Sequence, residues 1–165
     1  NTLSASSLST LRQKSRLFLI AIISVLVGGG TMLAIVTQWV LDLDPWFLPR
    51  YVIPLAGMIF ATAMTSISLA GERLQSELAQ SKSYEDSSKV AFNTSMIPNI
   101  NAMFAVGLVS LPGMMTGQIL SGVSPFIAAR YQIMVMCMLF SAAGISAFVF
   151  LCLAKAQLIS KENHN

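Results

Sequence analysis

Charge is what this sequence has least of: 10% of its 165 residues are Asp, Glu, Lys or Arg, against roughly a quarter in an ordinary soluble domain. A chain with so little charge and 55% hydrophobic residues cannot dress a water-soluble surface, which places it in the membrane class. Histidine is almost missing as well. The one residue, His164, lies in a polar tail, so no Cys/His cluster with metal-ligand spacing exists. The two cysteines, Cys137 and Cys152, stand fifteen positions apart on one expected helix, roughly 22 Å at 1.5 Å per residue. That separation excludes a disulfide within the chain. Basic residues outnumber acidic ones by 10 to 7, but they sit at the ends of apolar blocks rather than on one face, which argues against nucleic acid as a partner.

What is present is a set of long uncharged stretches. A helix needs roughly 20 apolar residues to cross a hydrocarbon core of about 30 Å, and four stretches qualify: 17–41, 51–70, 101–120 and 131–154. The fold class expected is therefore all-α, a polytopic helical membrane protein with about four transmembrane helices, treated as one domain over 1–165. The third span is the least regular, and it lies inside a region, 90–129, that holds no charge. Pro54 and Pro98 fit first helical turns, while Ser124 followed by Pro125 reads as an N-cap and first residue of the last helix.

Orientation follows from the basic residues of the short flanking segments. Arg12, Lys14, Arg16, Arg73, Lys82, Lys89, Lys155 and Lys161 fall on one side of a four-span arrangement, and only Arg50 and Arg130 on the other. Both termini are therefore expected in the cytoplasm, with a cytoplasmic loop over 71–96. Trp39, Trp46, Tyr51 and Tyr131 come at the opposite interface, where amphipathic rings anchor. Leu74 and Leu78 are one turn apart, so the second helix should continue out of the membrane past them. Beyond Lys82, the serines at 83, 87 and 88 are expected to weaken helix. The loop is either a solvated segment or a docking surface for a cytoplasmic partner, with Arg73, Lys82 and Lys89 as its contacts.

No Asp, Glu, Lys, Arg or His lies inside the four spans. Ion-coupled carriers place such groups in the bundle interior, and an intramembrane enzyme would need a buried catalytic constellation. Neither is present, so no catalytic residue is expected. The spans hold helix breakers and small residues instead. Gly28, Gly29 and Gly30 allow either close helix approach or local unwinding. Ser110, Pro112, Gly113, Met114, Met115, Thr116, Gly117 and Gln118 form the sharper signal: Pro112 would leave the Leu108 carbonyl without its helical partner, and Gly113 eases departure from helix. A broken helix in lipid must face protein or a water-lined cavity, so this segment is the candidate substrate path. Proline kinks and pairs such as Gly113 and Gly117 are also ordinary packing devices, and both readings stand. Met114, Met115, Met134, Met136 and Met138 gather around the last two spans. Thioethers suit soft metal ions but also fill gaps in cores, and no metal ligand is assigned.

Several strings resemble the FetB (YbbM) family of ABC-transporter permeases: Ile97-Pro98-Asn99-Ile100-Asn101, the run Val106 to Leu120 through Leu111-Pro112-Gly113-Met114, Arg130-Tyr131-Gln132-Ile133, and Val52-Ile53-Pro54-Leu55-Ala56-Gly57-Met58. The likeness covers nearly all of 12–153. It implies an integral subunit of the cell inner membrane that pairs with a cytoplasmic ATP-binding subunit and with a second permease copy, and that is associated with iron export. It also implies that this chain binds no cofactor itself, ATP being used by the partner. Family members have further helices before the equivalent of Asn1, so the chain resembles the C-terminal part of a longer domain. Their loop after the second span is longer than the one here. A membrane scaffold or anchor that transports nothing is the alternative from another class.

Overall fold

The computed structural model describes residues 2–40, 49–108 and 112–162. Five α-helices follow in order: α1, Thr2–Ile35; α2, Pro49–Leu78; α3, Tyr84–Leu108; α4, Gly113–Leu120; and α5, Pro125–Glu162. A π-helical turn, Val36–Val40, extends α1. No strand occurs among the described residues. The central element is α5, which packs against each of the other four helices.

Three helices are long and apolar enough to cross a membrane, over Ser15–Trp39, Val52–Leu78 and Pro125–Gln157. They match three of the four expected spans. The fourth, 101–120, is not one continuous helix, because α3 ends at Leu108 and α4 begins at Gly113. Eight residues of α4 rise only about 12 Å, less than half a hydrocarbon core of about 30 Å.

The segment 71–96 also departs from the loop expected there. Helix α2 runs on to Leu78 as its leucine spacing predicts, but α3 starts at Tyr84 and passes straight through Ser87 and Ser88. The cause is Ser83. Its Oγ accepts from the Asp86 backbone N–H at 3.2 Å and donates to Asp86 Oδ2 at 2.8 Å, an N-cap that satisfies a free N–H of the first turn. The true turn is short and contains Ser81 in the left-handed region at φ 58°. With α3 begun this early, Pro98 sits inside it, and Pro54 sits inside α2, which starts at Pro49. Neither occupies a first turn, and bundled membrane helices tolerate such prolines because neighbours satisfy the freed carbonyls.

Two clusters hold the bundle together. In the first, Ile67 and Leu74 of α2, Ala91 of α3 and Phe150 and Ala154 of α5 are buried, with Ile20 and Val25 of α1 against them. Ile20 and Ala154 thus belong to one end of the bundle. In the second, Val36, Leu55, Ile59, Val135 and Met138 are buried. Helices in lipid gain little from hydrophobic exclusion and associate through close packing, and the alanines of α5 at 142, 143 and 147 are fully buried. Outward, α1 presents Phe18, Leu19, Ile22, Ile23, Leu26 and Val27, a contiguous apolar stripe suited to hydrocarbon.

Candidate functional site

The C-terminal half of α3 and the whole of α4 lie at the margin of this packed centre. Residues 100–105 are exposed, and α4 has no buried residue. A polar contact ties this half of α3 inward: Asn99 Nδ2 donates to the buried Ser66 Oγ of α2 at 3.1 Å. It lies one residue beyond Pro98, whose ring removes a backbone N–H from the helical ladder.

Pro112 is the N-cap of α4, with φ −60° and ψ 141° and no side-chain capping bond. Its extended backbone, whose φ its own ring fixes, keeps α4 from continuing backward through Pro112 as helix. The Pro112 carbonyl accepts from the Thr116 N–H at 3.0 Å and from the Thr116 Oγ1 at 3.2 Å. Gly113 and Gly117 have nothing within 4 Å of where a Cβ would be, so the close-approach surface expected between them is not formed among the described residues. Met114 packs on the second cluster, while Met115, Thr116 and Gln118 are half-buried. Ser110 lies outside the described residues. The chain leaves α4 through Gly122 at φ 89°, a conformation that suits glycine, and Pro125 opens α5 as the Ser124-Pro125 pair predicts.

Of the three candidate docking residues, two are already engaged. Glu77 is 1% exposed, and a buried carboxylate is costly unless paired. Arg73 Nη2 lies 2.6 Å from its Oε1, and Lys82 Nζ bonds its Oε2. This triad ties the last turn of α2 to the turn before α3. Lys89 takes no part in it and is exposed. Nearby, Tyr84 Oη donates to the Leu151 carbonyl at 2.6 Å. Burial, with a smaller effect from the Cys152 thiol, pushes the Tyr84 phenol up to about 12, so it remains a donor at any physiological pH.

The methionines meet more widely than expected. Met32, Met58, Met114 and Met134, from four different helices, pack against the second cluster, which contains the buried Met138. Met115 and Met136 are not among them. Among the described residues no group of three His, Cys, Asp or Glu could hold a metal ion. The glycines of α1 resolve towards packing, since the helix stays regular through all three. A Cβ at Gly28 would lie 2.7 Å from the Ser146 backbone nitrogen, and one at Gly29 would lie 2.8 Å from the Phe60 ring. The backbone departs from α-helix only later, at Val36–Val40, where the Thr37 Oγ1 donates to the Leu33 carbonyl at 2.9 Å. No sequence signal pointed to that turn. Of the expected anchors, Trp39 projects at 85% exposed, whereas Tyr131 packs on the second cluster.

A polytopic helical membrane protein, with no catalytic constellation seen among its described residues, is the class that this fold defines. The chain belongs to the uncharacterised protein family UPF0014, whose model matches residues 2–159. It is 35% identical over 150 residues, 82% of this chain and 57% of the relative, to the "Probable iron export permease protein FetB" of Escherichia coli. It is 39% identical over 127 residues, 67% of this chain and 49% of the relative, to a UPF0014 membrane protein of Synechocystis. It is 34% identical over 141 residues, 75% and 51%, to the protein named ALUMINUM SENSITIVE 3 of Arabidopsis thaliana. The chain spans about half the length of these curated relatives. No solved structure matches it.

Proposed function

We propose that this chain is part of the permease subunit of an ABC transporter that exports a metal ion, iron being the first candidate, with ATP hydrolysed by a separate cytoplasmic subunit. The observation that carries the reading is the 35% identity, over 82% of the chain, to a relative named as an iron export permease. The departure from helix at Pro112 supports it, because a scaffold has no need of a helix interrupted in an apolar stretch. In this reading the chain has no catalytic residue and binds no cofactor. Segments 112–118 line the path, two permease copies assemble in the inner membrane, and the basic end of the bundle, with both termini, faces the cytoplasm. Because Arg73 and Lys82 serve Glu77, the partner would meet the α2–α3 tip chiefly through the turn itself.

The test uses the full-length protein with its ATPase in lipid vesicles. Iron should stimulate ATP hydrolysis several-fold, and Pro112→Ala should abolish most of that stimulation while expression and co-purification persist. A cysteine at Thr116, in a background lacking Cys137 and Cys152, should react with a small water-soluble thiol reagent. Unaltered stimulation by Pro112→Ala together with an unreactive Thr116→Cys would return the protein to the scaffold reading.

A further inference from the structure

Along the outside of the bundle, α3 and α5 leave a lateral groove that none of residues 112–118 lines. Its first stretch, about 560 Å³, is walled by Phe92, Phe148, Leu151 and Cys152, with Lys89 and Lys155 also lining it. A second stretch, about 670 Å³, shares Phe92 and Asn93 with the first and continues to Met96, Ile100, Phe140 and Gly144. The lining stripe on α5 runs from Lys155 to Phe140 and that on α3 from Lys89 to Ile100, each at helical spacing.

We propose that this groove binds an anionic phospholipid, with one acyl chain along the α3–α5 wall and the phosphate between Lys89 and Lys155. Length is the first argument. Lys155 to Phe140 spans roughly 22 Å of helix, which equals one leaflet of a bilayer about 40–45 Å thick with its headgroups. Charge is the second. Both ammonium groups of the lining come at one end, and the other end is apolar apart from Ser141. Glu85 approaches Lys155 at 3.8 Å but is 74% exposed, so the mouth carries two cations against one carboxylate and stays net positive. Lys89 has no carboxylate partner among the described residues.

The polar groups within the groove fit the same occupant. The Tyr84 hydroxyl is committed to the Leu151 carbonyl, and Ser88 Oγ donates to the Glu85 carbonyl at 3.0 Å, so neither opposes an acyl chain. Asn93 lies one helical turn from Lys89, roughly 6 Å deeper, at the depth of the glycerol esters, where its amide can donate to an ester carbonyl. Gly144 meets only the Met96 thioether end, at 3.7 Å from a would-be Cβ, which leaves room at the depth of the chain's tail. A protein helix laid in the groove would need its own carboxylates opposite Lys89. The inference rests on the membrane class of the chain and is independent of what it transports.

The full-length protein tests it through a tryptophan placed in the groove, Phe148→Trp, in a background of Trp39→Phe and Trp46→Phe. The probe lipids are brominated phosphatidylglycerol and brominated phosphatidylcholine, whose acyl chains quench a tryptophan they touch. Quenching should favour phosphatidylglycerol by about five- to thirtyfold in relative association, the range expected for one or two lysines near a headgroup. Lys89→Gln with Lys155→Gln should bring that ratio close to one while both lipids still quench. Arg130→Gln, at the other end of the bundle, should leave the ratio unchanged. Equal quenching by the two lipids in the parent protein overturns the proposal. So does an equal loss with Arg130→Gln, which would make the preference a property of overall charge. Absence of quenching by either lipid also overturns it, because a protein segment would then cover the groove.

Discussion

Two pairs of glycines, both in apolar stretches, meet opposite surroundings. Gly28 and Gly29 lie where α1 meets α5 and α2, and a side chain there would strike the Ser146 backbone or the Phe60 ring. Gly113 and Gly117 lie on a short helix with open space around them. The first pair brings helices together, a role that van der Waals packing gives small residues in lipid. The second leaves one face of α4 bare beside an extended proline, at the margin of the bundle. Close packing and an open, broken helix therefore use the same residue type, and the partner surface decides between them.

The largest expected effect is at the packed pair. Gly28→Leu must displace backbone as well as side chain, so its cost should exceed the about 1–3 kcal/mol of an ordinary overpacked core. Loss of the monodisperse peak in detergent size-exclusion chromatography would report it, whereas Gly117→Leu should elute and melt as the parent does. Equal losses from the two substitutions would break the comparison.

A middle-sized effect is expected at the α2–α3 turn, where the buried Glu77 depends on two half-exposed cations. Replacing both, Arg73→Ala with Lys82→Ala, strands a carboxylate without a partner, while Glu77→Ala leaves cations that water can solvate. Thermal melting should therefore show the double variant as the less stable of the two by several degrees. The reverse order would mean that the carboxylate is solvated in the folded protein.

The smallest effect is expected at the Asn99–Ser66 hydrogen bond of the open region. Asn99→Leu and Ser66→Ala remove one interhelical hydrogen bond, and such bonds average about 0.6 kcal/mol in membrane proteins. A double-mutant cycle on thermal stability should give a coupling of that order. A coupling several times larger would place α3 among the firmly held elements and narrow the contrast.

Much of this was legible in the residues. Long uncharged stretches announced three spanning helices, Leu74 and Leu78 announced the continuation of α2, and Pro112 with Gly113 announced a break. The Ser83-x-x-Asp86 capping signal was also present, but the neighbouring serines obscured it, and 71–96 reads as a loop until the cap is recognised. The region 101–120 is uncharged enough to pass for a span, yet apolar length alone does not require one unbroken helix.

Membrane class, all-helical architecture and the places where helices start or stop were determined by the sequence itself. Hydrophobic length, proline geometry and caps act over a few neighbouring residues and carry the same meaning wherever the segment packs. Only the tertiary structure decided that Gly28 lies against Ser146 while a side chain at Gly117 would meet none of the described residues, that Arg73 and Lys82 converge on Glu77, and that Lys89 and Lys155 share the mouth of one groove. Those are contacts between segments far apart in the chain, and no local pattern encodes which helix face will find a partner.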